Sequence, residues 1–383
     1  MTTPPSIERL LLGPGPSPIT PRVLRAMSAP VLGHLDPDLL AMMDETRAQL
    51  QRLFLAPEGS LCLAVSGTGT SGLEAAVANL AREGTRVLAI VTGYFGDRLA
   101  QVCARCGARV ARLDVEWGRA CDPQAVRDAL ARDPADIVCA VQAETSTGVL
   151  NPVEQVARAA HERGALVLVD AVTSLGAHPV RVSDWGLDAV YSCTQKGVGA
   201  PPGLAPVAFA PPALQRRVAC RSFYLDLALL EDYWLRRKYH HTISASLVYA
   251  LHEALAAIEE EGLEARWRRH ERHHRALAAG LEAMGLGLLP PPAERLWTLN
   301  AVRVPDGVDE ARARRELLQR FNMEIGAGLG PLAGKIWRVG LMGAGSTPQM
   351  LMLFLGALEA VLASQGRRTT PGAGSAAAIE ALS

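Results

Sequence analysis

Between residues 61 and 209, short and almost wholly apolar runs alternate with stretches of helical periodicity, and few folds accommodate that pattern. The runs fall at 61–65, 87–91, 110–113, 137–141, 166–169, 189–192 and 206–209. A strand that is apolar on successive residues must be covered on both faces, which is the condition of a mainly parallel sheet between helices. Amphipathic stretches such as 73–82 and 123–132 supply the covering helices. The expectation is an α/β domain over 21–261. A chain of 383 residues has room for a second domain. The 244–284 region reads as a long helical connection rich in Ala, Leu, Glu and Arg. After Pro290-Pro291-Pro292 comes a strand at 298–304, a helix at 309–321, a strand at 336–340 and a helix at 348–362. That is a smaller α+β domain, bounded at 262–365. Residues 1–20 are too proline-rich for a helix or central strand and are expected to be extended. Residues 366–383 hold few large apolar groups and are expected to form a mobile tail.

Lys plus Arg equals Asp plus Glu at 39 each, so no charge excess draws the chain to nucleic acid or an anionic membrane. No apolar run reaches the ~18–20 residues of a membrane span, and residues 1–9 contain no signal-peptide core. The expectation is a cytoplasmic protein with neither nucleic acid nor membrane as partner. Seven cysteines, odd in number and mostly within apolar stretches, read as reduced thiols. Two patterns hint at metal. Cys103 and Cys106 have no second pair at ligand spacing. His270-Glu271-Arg272-His273-His274 satisfies H-E-x-x-H, but its arginine-rich surroundings repel a divalent cation, and it reads as a solvated helix face. No metal is expected.

Three features sit at the ends of strands, where open α/β sheets bind ligands, and a fourth lies within a strand of the second domain. Ser66-Gly67-Thr68-Gly69-Thr70-Ser71-Gly72 links the first strand to a helix. Its glycines allow close approach, and the helix start offers unpaired N–H groups, so it reads as a phosphate cradle. It also fits G-x-G-x-x-G, yet the next strand closes on Thr92-Gly93 rather than the acidic residue a dinucleotide site needs. Asp170 ends a fully apolar strand and requires a cation or several donors. In a pyridoxal 5′-phosphate (PLP) enzyme that partner is the protonated pyridine nitrogen. Lys196 lies one strand later among small residues. Desolvation there lowers an amine's pKa and supplies the neutral form that attacks an aldehyde. Arg338, inside the strand at 336–340, suits a bidentate pair with a substrate carboxylate, the alternative being an internal salt bridge.

With these residues placed, the chain resembles class V aminotransferases, in particular the alanine–glyoxylate and serine–pyruvate (or serine–glyoxylate) group. The likeness runs from about residue 10 to 365. It is carried by Leu12-Gly13-Pro14-Gly15-Pro16-Ser17, the phosphate loop, Glu144-Thr145-Ser146-Thr147-Gly148 and Val169-Asp170-Ala171-Val172. Gln195-Lys196 with Ala200-Pro201-Pro202-Gly203, Ser222-Phe223-Tyr224-Leu225-Asp226, Tyr239-His240-His241-Thr242, Gly328-Leu329-Gly330-Pro331 and Arg338-Val339-Gly340 extend it. The resemblance implies the PLP-dependent transferase fold of type I. It implies that Thr68, Gly69, Thr70 and Gln195 hold the cofactor phosphate, and that Phe95 and Val172 pack on the two ring faces. Ser146 would reach the phenolic oxygen, and Lys196 would form the Schiff base. Tyr239 and Thr242 would reach the phosphate of the neighbouring subunit in a homodimer with shared sites. Gly15, Ser146 and Arg338 would hold the substrate carboxylate. Phe95 stands where relatives often have Trp, and Thr70 where some have His.

The implied reaction moves an amino group from a small amino acid, alanine or serine, to a small 2-oxo acid, glyoxylate or pyruvate. Lys196 carries the Cα proton and Asp170 stabilises the cofactor ring. Aminoethylphosphonate–pyruvate and pyridoxamine–pyruvate transamination are the alternatives. A cysteine desulfurase needs a Cys on a small-domain loop, and no Cys follows Cys220. A PLP-binding regulator would carry a DNA-binding module, for which there is neither length nor basic charge. A single motif arginine, Arg338, implies monocarboxylic substrates, unless Arg22, Arg25 or Arg221 approaches the site.

Overall fold

The computed structural model describes residues 9–383; the first eight residues of the expected extended segment lie outside the described residues. Seven strands form the main sheet: β1 (Leu61–Gly67), β2 (Arg86–Val91), β3 (Arg109–Asp114), β4 (Ile137–Val141), β5 (Leu166–Asp170), β6 (Ala189–Tyr191) and β7 (Gly203–Phe209). Their order is β1-β7-β6-β5-β4-β2-β3. Strands β3, β2, β4, β5 and β6 are parallel, while β7 runs antiparallel to both β6 and β1. Every residue of β4 and β5 is buried, as their unbroken apolar runs require. Edge strand β3 instead carries the exposed charges Arg109, Arg112 and Asp114, which discourage pairing with another chain.

The parallel order brings the C-terminal ends of β1, β2, β4, β5 and β6 to one edge, where the site assembles. A second core forms around β8 (Leu299–Arg303), β9 (Gly326–Ala327) and β10 (Ile336–Gly340), an antiparallel sheet in the order β8-β10-β9. Leu10–Leu11 pairs in parallel with Met323–Glu324, and the Gly340 N–H donates to Leu12 O at 2.7 Å. Leu12 is fully buried in this second core. The N-terminal segment is thus anchored on the small domain before it crosses to the large one.

Three expectations are corrected. The helical connection is two helices, Ala245–Glu261 and Leu263–Ala283, separated at Gly262, whose φ of +80° suits glycine. The tail contains a helix, Ala373–Leu382, packed on Leu263–Ala283. A Cβ on Gly280 would lie 2.8 Å from Gly374 O, so the two backbones meet where neither has a side chain. Small residues, read as signs of mobility, are here what permits the contact. Finally, His270, His273 and His274 are buried rather than on a solvated face. His270 Nδ1–H donates to Arg266 O at 2.7 Å while its Nε2 accepts from Gly343 N–H at 3.1 Å, which fixes a neutral ring.

Candidate active site

Lys196 lies in the single turn Thr194–Val198 that follows β6. The turn is braced from three sides. Ser17 N–H donates to Gln195 O (2.9 Å), Ser17 Oγ to Lys196 O (2.7 Å) and Arg266 Nη2 to Gly197 O (2.8 Å). The Lys196 ammonium group donates to Pro14 O. Burial pushes its pKa down; Cys193 and Asp170 oppose that shift and Arg338 adds to it. Gly15, at φ +114°, lies so close that a Cβ would stand 2.6–2.8 Å from Lys196 Cδ, Cε and Nζ. The other two lysines of the chain, Lys238 and Lys335, are exposed.

Asp170 ends β5 beside Tyr191 at the end of β6. Tyr191 Oη donates to Asp170 Oδ2 (2.6 Å) and Val172 N–H to Oδ1 (2.8 Å). Burial nevertheless raises the Asp170 pKa to about 6, against those two hydrogen bonds. The carboxylate is therefore short of a cation.

Thr68 precedes the Gly69–Leu80 helix without capping it through its side chain, so the first helical amides stay available. A Cβ on Gly69 would lie 2.9 Å from Val172 Cγ2, so only glycine admits this packing. Gln195 has a buried side-chain carbonyl with no partner, and turning its amide over presents NH₂ to the same place.

A cleft of about 310 Å³ brings together Gly15, Thr68, Gly69, Thr70, Phe95, Asp170, Val172, Gln195 and Lys196. Four expected residues do not line it. Ser146 is fully buried; its Oγ donates to Glu144 Oε1 (2.5 Å) and accepts from Tyr94 N–H (2.9 Å). It braces the helix carrying Phe95 instead of opening on the cleft, because the buried Glu144 claims its hydroxyl. Arg338 donates from Nε to Ala327 O (2.6 Å) and has no carboxylate partner among the described residues. Burial lowers its pKa to about 10, and Glu144 partly restores it. Tyr239 and Thr242 are exposed on the surface of this chain.

The sequence reading missed three participants. Tyr191 reads as core until the β5–β6 register sets it beside Asp170. Glu144 accepts from Gly96 N–H (3.1 Å) and Ser146 N–H (3.1 Å), holding the start of the Tyr94–Arg105 helix. Arg98 lines the cleft with its guanidinium 5.1 Å from the Phe95 ring centroid. Arg22 is tied to Glu253 and Glu260, and Arg221 pairs with Glu83 at 3.7 Å; neither they nor Arg25 line the cleft.

A buried carboxylate short of a cation, a half-buried lysine and a glycine-lined helix start converge here, and residues 10–333 match the family aminotransferase class-V. The chain belongs to the class V aminotransferases. It is 37% identical over 377 residues to the (S)-ureidoglycine–glyoxylate transaminase of Bacillus subtilis (strain 168), covering 92% of this chain and 90% of that one. The solved alanine–glyoxylate aminotransferase from Nostoc sp. superposes with a TM-score of 0.92 at 44% identity, over 94% of this chain and 97% of that one. The pyridoxamine–pyruvate aminotransferase from Mesorhizobium loti gives a TM-score of 0.94 at 30% identity, over 100% and 99% of the two chains. The protein is a PLP-dependent transaminase that moves an amino group from an amino acid to a 2-oxo acid. The site fits that cofactor: Asp170 lacks the cation a pyridinium supplies, and Gln195 with the Thr68–Thr70 turn offers donors to a phosphate. Among the described residues no helix is long and apolar enough to cross a membrane, and no cluster of His, Cys, Asp or Glu is arranged to hold a metal.

Proposed function

We propose that this aminotransferase transfers the amino group of alanine or serine to glyoxylate or pyruvate, with Lys196 as the lysine that carries the cofactor and moves the proton. The observation that carries this reading is the buried Lys196 amine, one strand from a buried carboxylate. PLP, when bound, supplies an electron sink for the bonds at the substrate's Cα. The chain's own residues do the rest. Asp170, held ionised by Tyr191 Oη, the Val172 N–H and the pyridinium, keeps the ring nitrogen protonated. Thr68, Gly69, Thr70 and Gln195 bind the phosphate, and Phe95 and Val172 pack on the ring. Lys196 would take the proton from the substrate's Cα and deliver it to the cofactor carbon that bears the amino nitrogen, and would carry it back in the reverse half; one positioned acid–base group contributes roughly 10²–10⁴-fold. Arg338, with Gly15 beside Lys196, orients the substrate carboxylate. The glyoxylate acceptors named for two of the relatives support the acceptor class. Absorbance titration of the PLP-loaded protein with single amino acids tests the donor: alanine and serine should deplete the visible band of the bound cofactor.

Replacing Arg338 by alanine should raise KM for every amino donor by roughly 10- to 150-fold, the cost of one charged hydrogen bond, ~1.5–3 kcal/mol. The resting cofactor spectrum should stay unchanged. Unaltered KM values for two donors would show that Arg338 serves the fold alone.

Selectivity follows from charge. A dicarboxylic donor brings a second negative group into a partly desolvated site, and the arginine that lines the cleft among the described residues, Arg98, faces the rings of Tyr94 and Phe95. With glyoxylate fixed, kcat/KM for alanine and serine should exceed that for glutamate and aspartate. Equal values would show that Arg98 accepts the distal carboxylate.

A homodimer with shared sites completes the proposal. Tyr239 is 60% exposed, and Phe223 and Tyr224 are also uncovered at 70% and 45%. Such aromatic exposure supports burial against a second copy, with Tyr239 and Thr242 reaching the partner's cofactor phosphate. Dilution to monomer should release the cofactor, as followed by sedimentation with absorbance detection; a monomer retaining full PLP occupancy would contradict this. All seven cysteines are free thiols, which supports work in the reducing cytoplasm.

A further inference from the structure

Behind the turn that carries Lys196 lies a second cleft of about 450 Å³, between the end of the Ala245–Glu261 helix and the start of the Pro348–Ser364 helix. Its charge is unbalanced. Arg266, Arg269 and Arg272 line it with a single carboxylate, Glu261. Glu261 is already engaged, accepting from Arg266 Nη1 at 2.7 Å and from Arg269 Nε at 2.5 Å. Two positive charges therefore remain uncompensated. Arg266 and Arg269 spend their other donors on backbone carbonyls, among them Gly197 O (2.8 Å) and Ser346 O (2.7 Å). Arg272 is exposed and makes no hydrogen bond or ion pair among the described residues.

A second observation points the same way. His273 lines the cleft, is 1% exposed, and binds Ser346 Oγ through Nδ1 at 3.0 Å, while its Nε2 is buried without a partner. A buried polar atom left so is unfavourable, and a bound acceptor removes that cost. The 17-residue helix starting at Pro348 adds its dipole. Thr347 Oγ1 accepts the Met350 N–H at 3.1 Å, which leaves the Gln349 amide, also on the cleft wall, without an intrahelical acceptor.

We propose that this cleft binds the phosphate group of a small metabolite, held by Arg272, the His273 ring and the start of the Pro348–Ser364 helix. Phosphate is favoured over carboxylate because a group of about −1.5 to −2 charge matches an excess of two cations. Neither the transaminase chemistry nor its cofactor uses this site, since the cofactor phosphate belongs to the Thr68–Thr70 cradle on the other side of the Lys196 turn.

The experiment titrates inorganic phosphate into the PLP-loaded enzyme, whose cradle is already filled, by calorimetry and by NMR of the histidine rings. Saturable binding of one phosphate per chain, with movement of the His273 resonances and no such effect from acetate at equal ionic strength, is expected. Arg272→Gln, which removes an exposed and unpaired side chain, should weaken phosphate roughly 10-fold or more. Absence of saturable binding, unmoved His273 resonances, an equal response to acetate, or full affinity in Arg272→Gln would each overturn the proposal.

Discussion

Lys196→Ala is expected to lower steady-state transamination by at least about 10³-fold, since the proposed function has one residue both carry the cofactor and transfer the proton. The folded protein should survive the change. Desolvation disfavours the charged amine there, and its hydrogen bond to Pro14 O is one contact beside the Ser17 and Arg266 bonds that brace the same turn. Phosphate and ring contacts should still retain PLP, with its absorption shifted because no lysine is attached. Added methylamine should restore part of the proton transfer in single-turnover assays. A variant with more than a tenth of wild-type turnover would show that another base does the work.

Asp170→Asn should have the second largest effect. Removing one member of a buried ion pair costs ~3–5 kcal/mol, which corresponds to roughly 10²- to 10⁴-fold in kcat. The same substitution makes an opposite prediction for the cofactor-free protein. There the Asp170 pKa is raised from 3.8 to about 6 by burial. A folded-state value above the unfolded one means that the stability is complete at low pH and is lost as pH rises through about 6. The shift corresponds to about 3 kcal/mol. The cofactor-free wild type should therefore fall behind cofactor-free Asp170→Asn as pH is raised from about 4 to about 7, when Tm values are compared by scanning calorimetry. A constant difference across that range would mean that Asp170 does not titrate there. Cofactor binding should erase the trend, because the pyridinium supplies the missing cation.

The parts of the site that were legible in the sequence share one property: each breaks a local rule. A charge at the tip of an apolar strand is costly unless partnered, so Asp170 and Lys196 could be singled out by residue type and position. The sheet was legible for the complementary reason, because β4 and β5 consist of residues that only a doubly covered strand accepts. What remained hidden depends on register or on tertiary partners. Tyr191 obeys its local rule as an aromatic at the end of a buried strand, and only pairing with β5 gives its hydroxyl a task. Glu144 and Ser146 stood in a recognised motif, but no spacing shows that they bond each other and leave the cleft wall. The buried histidines at 270, 273 and 274 sit among arginines in sequence, yet helix periodicity turns them inward while Arg268 and Arg272 face out. The terminal helix was misread because glycine and alanine serve both loose chain and close helix packing.

Whether Lys196 alone holds the cofactor can be tested directly, since the chain contains only three lysines. Borohydride reduction of the PLP-loaded enzyme, followed by peptide mass mapping, fixes the cofactor to whichever lysine carries it. One pyridoxyl label per chain is expected, on Lys196, with Lys238 and Lys335 unmodified. A label on either of those two, or a reduced enzyme with no pyridoxyl-lysine, would contradict it.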